Sequence, residues 1–502
     1  MVFMSSHPII HQNLKLPVIR GFYRFVAVLL LAVPALLTIL PQRACAQFTT
    51  PEISLELMGN VNSGSSTPFW LRTHRDGIVR WSGPQTIAQF RVRGAEEELF
   101  GTRLRFEYGA DLTGRYFRDN SLFFNQAWGE LRYGPLYLYG GRKAKTVGVT
   151  HGRLTSGSMG ISRNATPMPK VEFGLADYIT LPFTFDMIEI KSHIAHGWFE
   201  QDRYVDSPWL HEKSGYARFG RNHSRFSVYG GLSHFGLWGG NSPDFDELPT
   251  GIRNFGRIFF VLSADPEDEN VPPGWEAYMF GDSKGIWDFG ATFEHENYTL
   301  LLYRHVPIED KDGLKLKSPQ DGLWGIALDR TATDRLIQGV AYEFIYTKWQ
   351  NGPDGPGSRA TGKGGWDNYY NNGVYRSGWT HHMQSIGSPL LTPHRGPVGS
   401  ETYRIINNRV VGHHVGVDGT IGPVSYRSFV TYTRNYGTYH DRERSDNFRF
   451  EGGPEQLSGL LELSVHNLPT EQMTLNLSLA IDYGQMYNNS AGVLAGIRYR
   501  FE

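Results

Sequence analysis

From Met473 to Tyr483 every second residue is apolar or aromatic: Met473, Leu475, Leu477, Leu479, Ile481 and Tyr483 alternate with Thr474, Asn476, Ser478, Ala480 and Asp482. Successive side chains of a strand point to opposite faces. A period of two therefore commits this segment to a strand with one apolar and one polar face. The pattern recurs from Arg103 to Thr113, where Leu104, Phe106, Tyr108, Ala110 and Leu112 oppose Arg103, Arg105, Glu107, Asp111 and Thr113. Each run has about the 9–11 residues that cross a bilayer at a tilt. Tight turns join several of them. Asn125–Tyr133 meets Leu136–Gly141 through Gly134-Pro135, and His414–Ile421 meets Val424–Arg434 through Gly422-Pro423. Trp287–Glu294 returns as Tyr298–His305. These are antiparallel hairpins, the unit of an up-and-down barrel. The runs along the chain number about 16–18, within the range of known transmembrane barrels.

A soluble sandwich or propeller alternates too. Against it stand apolar faces rich in Tyr, Phe and Trp near strand ends, as in interfacial girdles, and Arg and Glu in mid-strand, which a wet lumen accepts. The mean hydropathy of −0.37 would suggest a water-soluble protein. No apolar run after residue 46 approaches the roughly 20 residues of a helical span. A barrel strand, however, shows lipid only every second side chain and never reads as a continuous apolar run. The fold class expected is all-β, an antiparallel transmembrane outer-membrane β-barrel.

The first 46 residues differ from the rest. Lys15, Arg20 and Arg24 precede the apolar stretch Phe25–Leu40, and Ala44-Cys45-Ala46 places small residues before Gln47. This three-part pattern is a secretory signal, too short and wrongly flanked for a membrane anchor. Removing 1–46 takes away Cys45, the chain's one cysteine, with Lys15, Arg20, Arg24 and Arg43 and no acidic residue. What remains, 47–502, is expected to be a single barrel domain, thiol-free and net acidic. It has no basic excess for nucleic acid and suits an oxidising compartment. At the other end Val493, Ala495, Ile497, Tyr499 and Phe501 alternate with Leu494, Gly496, Arg498 and Arg500. Gly496, Tyr499 and Phe501 resemble the signal read by the outer-membrane barrel-assembly machinery, although Glu502 follows where an aromatic residue is usually last. Outer-membrane lipid is the expected surrounding.

Two long segments break the alternation. In His151–Leu175, Pro167 and Pro169 are expected to exclude a central strand. In Asn351–Ser400, glycines are interspersed with Trp366, Tyr369, Tyr370, Tyr375, Arg376 and Trp379. Loops this long are functional or disordered, and aromatic richness argues against disorder.

The string Ser158-Met159-Gly160-Ile161-Ser162-Arg163-Asn164-Ala165-Thr166-Pro167-Met168-Pro169 resembles a segment of the Wzi capsule-assembly family. So do Tyr369–Trp379 and the opening Thr67-Pro68-Phe69-Trp70-Leu71-Arg72. The resemblance extends from about residue 51 to 501. It implies an 18-stranded barrel in the outer membrane of a Gram-negative bacterium. Such a barrel acts as a lectin for capsular polysaccharide and helps assemble the capsule at the cell surface. Well-known relatives carry a small helical bundle at the periplasmic end; no amphipathic helical stretch stands out in this chain.

Enzyme motifs are missing: no G-x-S-x-G elbow, H-E-x-x-H, P-loop or EF-hand string occurs. No enzyme activity and no cofactor are expected. Neighbours on a strand face opposite ways, so neither His381-His382 nor His413-His414 makes a metal site by itself, and none is expected. Aromatic faces pack against the C–H face of a sugar, while Asn, Asp and Arg bond its hydroxyls and carboxylates. Trp366, Tyr369, Tyr370, Tyr375, Arg376 and Trp379 are thus the candidate polysaccharide site. The same rings equally suit a plug packed within the lumen. Arg163 and Asn164 read as supports of a folded-in loop around Pro167 and Pro169. A porin or substrate channel is the rival function, sharing fold, signal and lumen polarity.

Overall fold

The computed structural model describes residues 50–501 except 97–101, 117–119, 221–223, 266–270, 273–278, 310, 353–365, 397, 400–401, 440–449 and 488. The expected signal segment 1–46 lies outside the described residues. Eighteen antiparallel strands run in chain order around a closed barrel. They are β1 (Glu52–Asn62), β2 (Gln85–Glu96), β3 (Leu104–Tyr116), β4 (Ser121–Tyr133), β5 (Leu136–Arg142) and β6 (Pro169–Leu175). Next come β7 (Ile188–Trp198), β8 (Trp209–Phe219), β9 (Phe226–Trp238), β10 (Asp282–His295), β11 (Tyr298–Ile308) and β12 (Gly322–Arg330). The circuit ends with β13 (Gly339–Tyr346), β14 (Val410–Ile421), β15 (Val424–Asn435), β16 (Glu455–His466), β17 (Met473–Gly484) and β18 (Ser490–Phe501). β18 closes on β1 in a continuous register from Ile53 opposite Phe501 to Asn62 opposite Gly492.

Alternation decides which residues face out. On β17, Leu479, Ile481 and Tyr483 are exposed while Ser478, Ala480 and Asp482 are buried. On β18, Ile497, Tyr499 and Phe501 face outward. Where β3 meets β4, Asp111 pairs with Gln126 and Leu112 with Phe124, so Asn125 bulges from β4 and lies buried beside Gln126. Gly134 and Gly422 each take positive φ, 57° and 58°. A two-residue hairpin needs this at its first central position, and proline suits the second, so both Gly-Pro turns use the same solution. β6 departs from the expectation that 151–175 is all loop. Pro169 begins it, where no ladder N–H is needed, and Lys170, Glu172 and Gly174 face in while Val171 and Phe173 face out.

Connection length sorts the two ends. Turns 134–135, 296–297 and 422–423 lie at the end carrying Glu52 and Phe501; 63–84, 143–168, 239–281 and 347–409 lie at the other. Short turns are periplasmic and long loops extracellular in barrels of this kind, which orients the molecule. Exposed aromatics mark both rims: Tyr133, Phe219, Phe226 and Phe501 at the periplasmic end, Phe124, Trp198 and Tyr483 at the outer end. Among the described residues three helices occur, α1 (Phe69–Arg72), α2 (Gly251–Phe260) and α3 (Lys311–Leu314), all in outer connections. No helix of the described residues is long and apolar enough to cross a membrane.

Candidate functional site

The described residues of three outer connections, 63–84, 143–168 and 347–409, fold into the barrel and bind one another. Arg163 forks onto the Asp76 carboxylate, with Nε 3.0 Å from Oδ1, and the Asp76 amide donates to the Arg163 carbonyl at 2.8 Å. Burial pushes the Asp76 carboxyl up despite that guanidinium. Asn164 Nδ2 donates to the Ser385 carbonyl (2.8 Å), and the Ser162 amide to that of Ile386 (2.7 Å). Pro167 and Pro169 flank buried Met168 at the foot of this loop, where Pro169 passes into β6.

The plug is tied to the wall by carboxylates that the strands point inward. Glu343 accepts from Thr155 Oγ1 (2.6 Å), the Ser156 amide (2.6 Å) and Tyr303 OH (2.5 Å). Asp288 accepts the Val149 amide at 2.6 Å, and Asp482 that of Phe69 at 2.8 Å. Trp70, on α1, donates Nε1 to Thr431 Oγ1 (3.1 Å) and packs on Phe429 and His414. Of the segments that carry the family resemblance, 67–72 meets the wall through Phe69 and Trp70, and 158–169 binds the other connections through Ser162, Arg163 and Asn164.

Four of the six candidate sugar-binding residues lie inside this plug with their polar atoms engaged. Tyr369, Tyr375 and Trp379 are each 1% exposed and Tyr370 4%. Tyr369 donates to Asp321 (2.8 Å), Tyr370 to the Met159 carbonyl (2.6 Å), Tyr375 to that of Gly239 (3.1 Å) and Trp379 Nε1 to that of Gly160 (2.8 Å). No ring face of these four is open to a sugar in this structure. Trp366 and Arg376 are half-buried. Trp366 stacks on Tyr439 at 5.9 Å. Arg376 lies between the rings of Tyr204 and Tyr403, 5.8 and 5.2 Å away, and its Nε has no hydrogen-bond partner among the described residues.

Beside the plug, at the outer mouth, sits a cavity of about 300 Å3 lined by Arg72, Trp81, His394, Arg395, Asp482 and Tyr487 among others. The half-buried Trp81 ring lies between two guanidiniums, Arg72 at 3.1 Å and Arg395 at 3.4 Å from its centroid. Arg72 is buried, which lowers it to about 10 against the pull of Tyr487 and Asp482. Its Nε has no hydrogen-bond partner among the described residues, nor has Trp81 Nε1. The sequence reading quoted Arg72 in a family segment, not at a site, and passed over Trp81 and Arg395; Arg395 lies more than 300 residues on, and only the fold brings the three together. A larger concavity of about 610 Å3, lined by Val430, Leu461, Leu479 and Ile481, opens on the lipid-facing wall and has little polar chemistry.

Two histidine pairs behave differently. His413 and His414 face opposite ways, His414 buried against Trp70 and His413 outside against Tyr342. His381 and His382 do not: His382 takes a φ of 47° and the rings lie 4.4 Å apart, because this stretch is a turn rather than a strand. Glu172, His193 and Glu212 bring their ligand atoms within 4.8 Å of one another. Lys170 Nζ, 2.6 Å from Glu212, and Lys145 on Glu172 already supply the positive charge there.

The profile of the family described as "Capsule assembly protein Wzi" matches residues 62–392. The chain is similar to a solved structure from Escherichia coli, titled as Wzi, an outer membrane protein involved in group 1 capsule assembly that is a carbohydrate binding beta-barrel. The two share 15% identity with a TM-score of 0.56, covering 92% of this chain and 86% of that one. Pseudomonas aeruginosa OpdL (9% identity, 90% of this chain and 98% of that one, TM-score 0.45) and OpdQ (8%, 90% and 99%, 0.44) also match, at a distance that carries no argument. No curated protein matches the chain.

Proposed function

The chain belongs to the Wzi capsule-assembly family, and from that premise we propose that its outer face binds exported capsular polysaccharide and holds it at the surface of a Gram-negative cell without chemical turnover. The observation that carries this reading is the outer cavity, where Trp81 is held between the guanidiniums of Arg72 and Arg395. Two guanidiniums held on one indole suit an acidic polymer: each fork bonds a carboxylate, and the ring between them fixes their spacing. Arg376 with Tyr204 and Tyr403, and Trp366 with Tyr439, extend the surface along the chain of a polymer. The plug favours a binder over a channel, since three connections cross the lumen and spend their hydrogen bonds there. The test is a Trp81→Ala, Arg395→Ala, Arg376→Ala triple variant made at normal surface levels. Capsule should appear in the medium, and purified variant should lose at least tenfold in affinity for the cell's own polysaccharide. Full capsule retention would overturn the reading, and conductance of the wild-type protein in planar bilayers would favour the channel.

Delivery belongs to the same proposal: 1–46 exports the chain, and Gly496, Tyr499 and Phe501 present the closing strand to the barrel-assembly machinery. Tyr499→Ser with Phe501→Ser should lower outer-membrane levels severalfold; unchanged levels would remove the signal from this role.

A further inference from the structure

At the periplasmic end of the lumen, beneath the plug, lies a second cavity of about 320 Å3. Its rim is made by Arg132 near the end of β4, Leu175 and Ala176 at the end of β6, and Tyr178 in the turn that follows. Its roof is the plug segment 145–149, anchored above by the Val149 amide on Asp288 and the Val149 carbonyl on His305 Nε2. The volume falls at the lower end of small-molecule pockets, about 300–1,000 Å3, so it admits a small ligand rather than a threaded polymer.

Four tyrosines wall it. Tyr137 and Tyr139 lie parallel, with centroids 6.4 Å apart, and Tyr178 and Tyr216 stand across from them. Four cations line it, Arg132, Lys143, Lys145 and Lys191, against two carboxylates, Glu130 and Glu172. Glu130 is held by both Arg132 and Lys143, each at 2.5 Å. Glu172 is held by Lys145, with Lys170 at 3.9 Å behind it. Lys191 has no ion-pair partner among the described residues and faces the Tyr178 ring at 6.0 Å. Behind the lining, Lys170 is matched by Glu212 at 2.6 Å, and Arg132 also reaches Glu107 at 3.6 Å; in the lining itself four cations face two carboxylates, and the net positive charge attracts an anion.

We propose that this chamber binds one or two rings of a carboxylate-bearing sugar entering from the periplasm, a site separate from the outer cavity. The carboxylate meets Lys191 and Arg132, and the ring faces meet tyrosine. The choice of sugar rests on the polysaccharide reading above; the cavity and its charge do not. The plug separates the two sites, so material would not pass from one to the other without plug movement.

The experiment uses full-length barrel in detergent micelles, titrated by calorimetry with digalacturonate, the neutral disaccharide lactose and inorganic phosphate. Digalacturonate should bind at least tenfold more tightly than lactose and should not be displaced by equimolar phosphate. Lys191→Gln alone should weaken it about fivefold, and Lys191→Gln with Tyr178→Ala at least twentyfold, with heat-modifiable gel migration confirming a folded barrel. The Trp81→Ala, Arg395→Ala, Arg376→Ala variant should keep this binding. Equal affinity for lactose, displacement by phosphate, or indifference to the Lys191 and Tyr178 changes would overturn the proposal. Loss of binding in the outer-face variant alone would place the acidic-sugar site outside and also overturn it. Capsule retention by cells carrying the outer-face variant reads on the outer site and leaves the chamber result standing.

Discussion

The two halves of the lumen satisfy their inward carboxylates in opposite ways. In the outer half Glu343, Asp288 and Asp482 are bonded by amides and hydroxyls of the folded-in connections, so the chain itself fills the space. In the inner half Glu130 and Glu172 are bonded by lysine, arginine and tyrosine side chains of the wall and the plug's foot, which balance charge but leave a cavity. The strands supply the same alternation to both. Whether a lumen becomes a packed core or an open chamber is therefore decided by what answers its acids: a backbone that brings bulk with it, or side chains that do not.

The largest test of that contrast is Trp379→Ala. It removes a fully buried ring that also donates to the Gly160 carbonyl, a loss of about 3–5 kcal/mol. The loss should fall on the plug, because the barrel's ladders do not use this residue. Hydrogen exchange should rise by two or more orders of magnitude across 366–395 while β1–β18 keep their protection. Unchanged exchange there would mean that the plug is held from the wall alone.

Next in size is a pH effect confined to the outer half. Burial pushes Glu309 up to about 8, against Lys284, and it accepts the Tyr370 amide at 2.6 Å. Asp321, which accepts from Tyr369 and the Gln350 amide, is pushed up by burial to about 6. A carboxyl raised in the folded state binds more protons there than when released. Its contribution is full below the unfolded value and is lost as pH rises through the folded one. Plug protection should therefore fall severalfold from pH 5 to pH 9, and Glu309→Gln should flatten the upper part of that decline. Protection that increases over this range would contradict the protonated form.

Arg163→Ala should do less. The guanidinium is 55% exposed, so solvent screens the pair and about 1 kcal/mol is the expected loss. Proteolytic nicking of 63–84 should quicken about fivefold, the ratio that such a loss allows; Arg163→Lys, which cannot fork, should recover little of it. Smallest of all is Lys191→Gln, read at the plug. With no ion pair to break, it should leave exchange across 366–395 within about twofold, as expected for a change away from buried contacts. A larger change would show that the inner chamber and the plug are one cooperative unit.

The strands were legible because alternation is local: Leu479, Ile481 and Tyr483 declare their face whatever the rest of the barrel does. Hairpin turns were equally legible, since Gly134-Pro135 and Gly422-Pro423 carry their geometry in two residues. β6 was not. It is short, begins at Pro169 and follows a long irregular segment, so seven residues of pattern were absorbed into the loop. α2 escaped notice for a similar reason, lying within a long connection. The family segments could be recognised, but the fate of their aromatics could not. Tyr369 and Trp366 look alike in the sequence, yet one donates to Asp321 inside the barrel and the other stands half-buried at its mouth.

By itself the sequence determined an antiparallel membrane barrel, its inside and outside faces and its membership of a capsule-assembly family. Each of these depends on patterns within a few residues of one another, or on a continuous string. Tertiary structure alone decided that three outer connections enter the lumen and pack together. It alone set Trp81 between Arg72 and Arg395, and left a cationic chamber beneath the plug. Those outcomes depend on contacts between segments tens to hundreds of residues apart, such as Phe69 with Asp482 or Thr155 with Glu343, whose partners exist only once the barrel has closed.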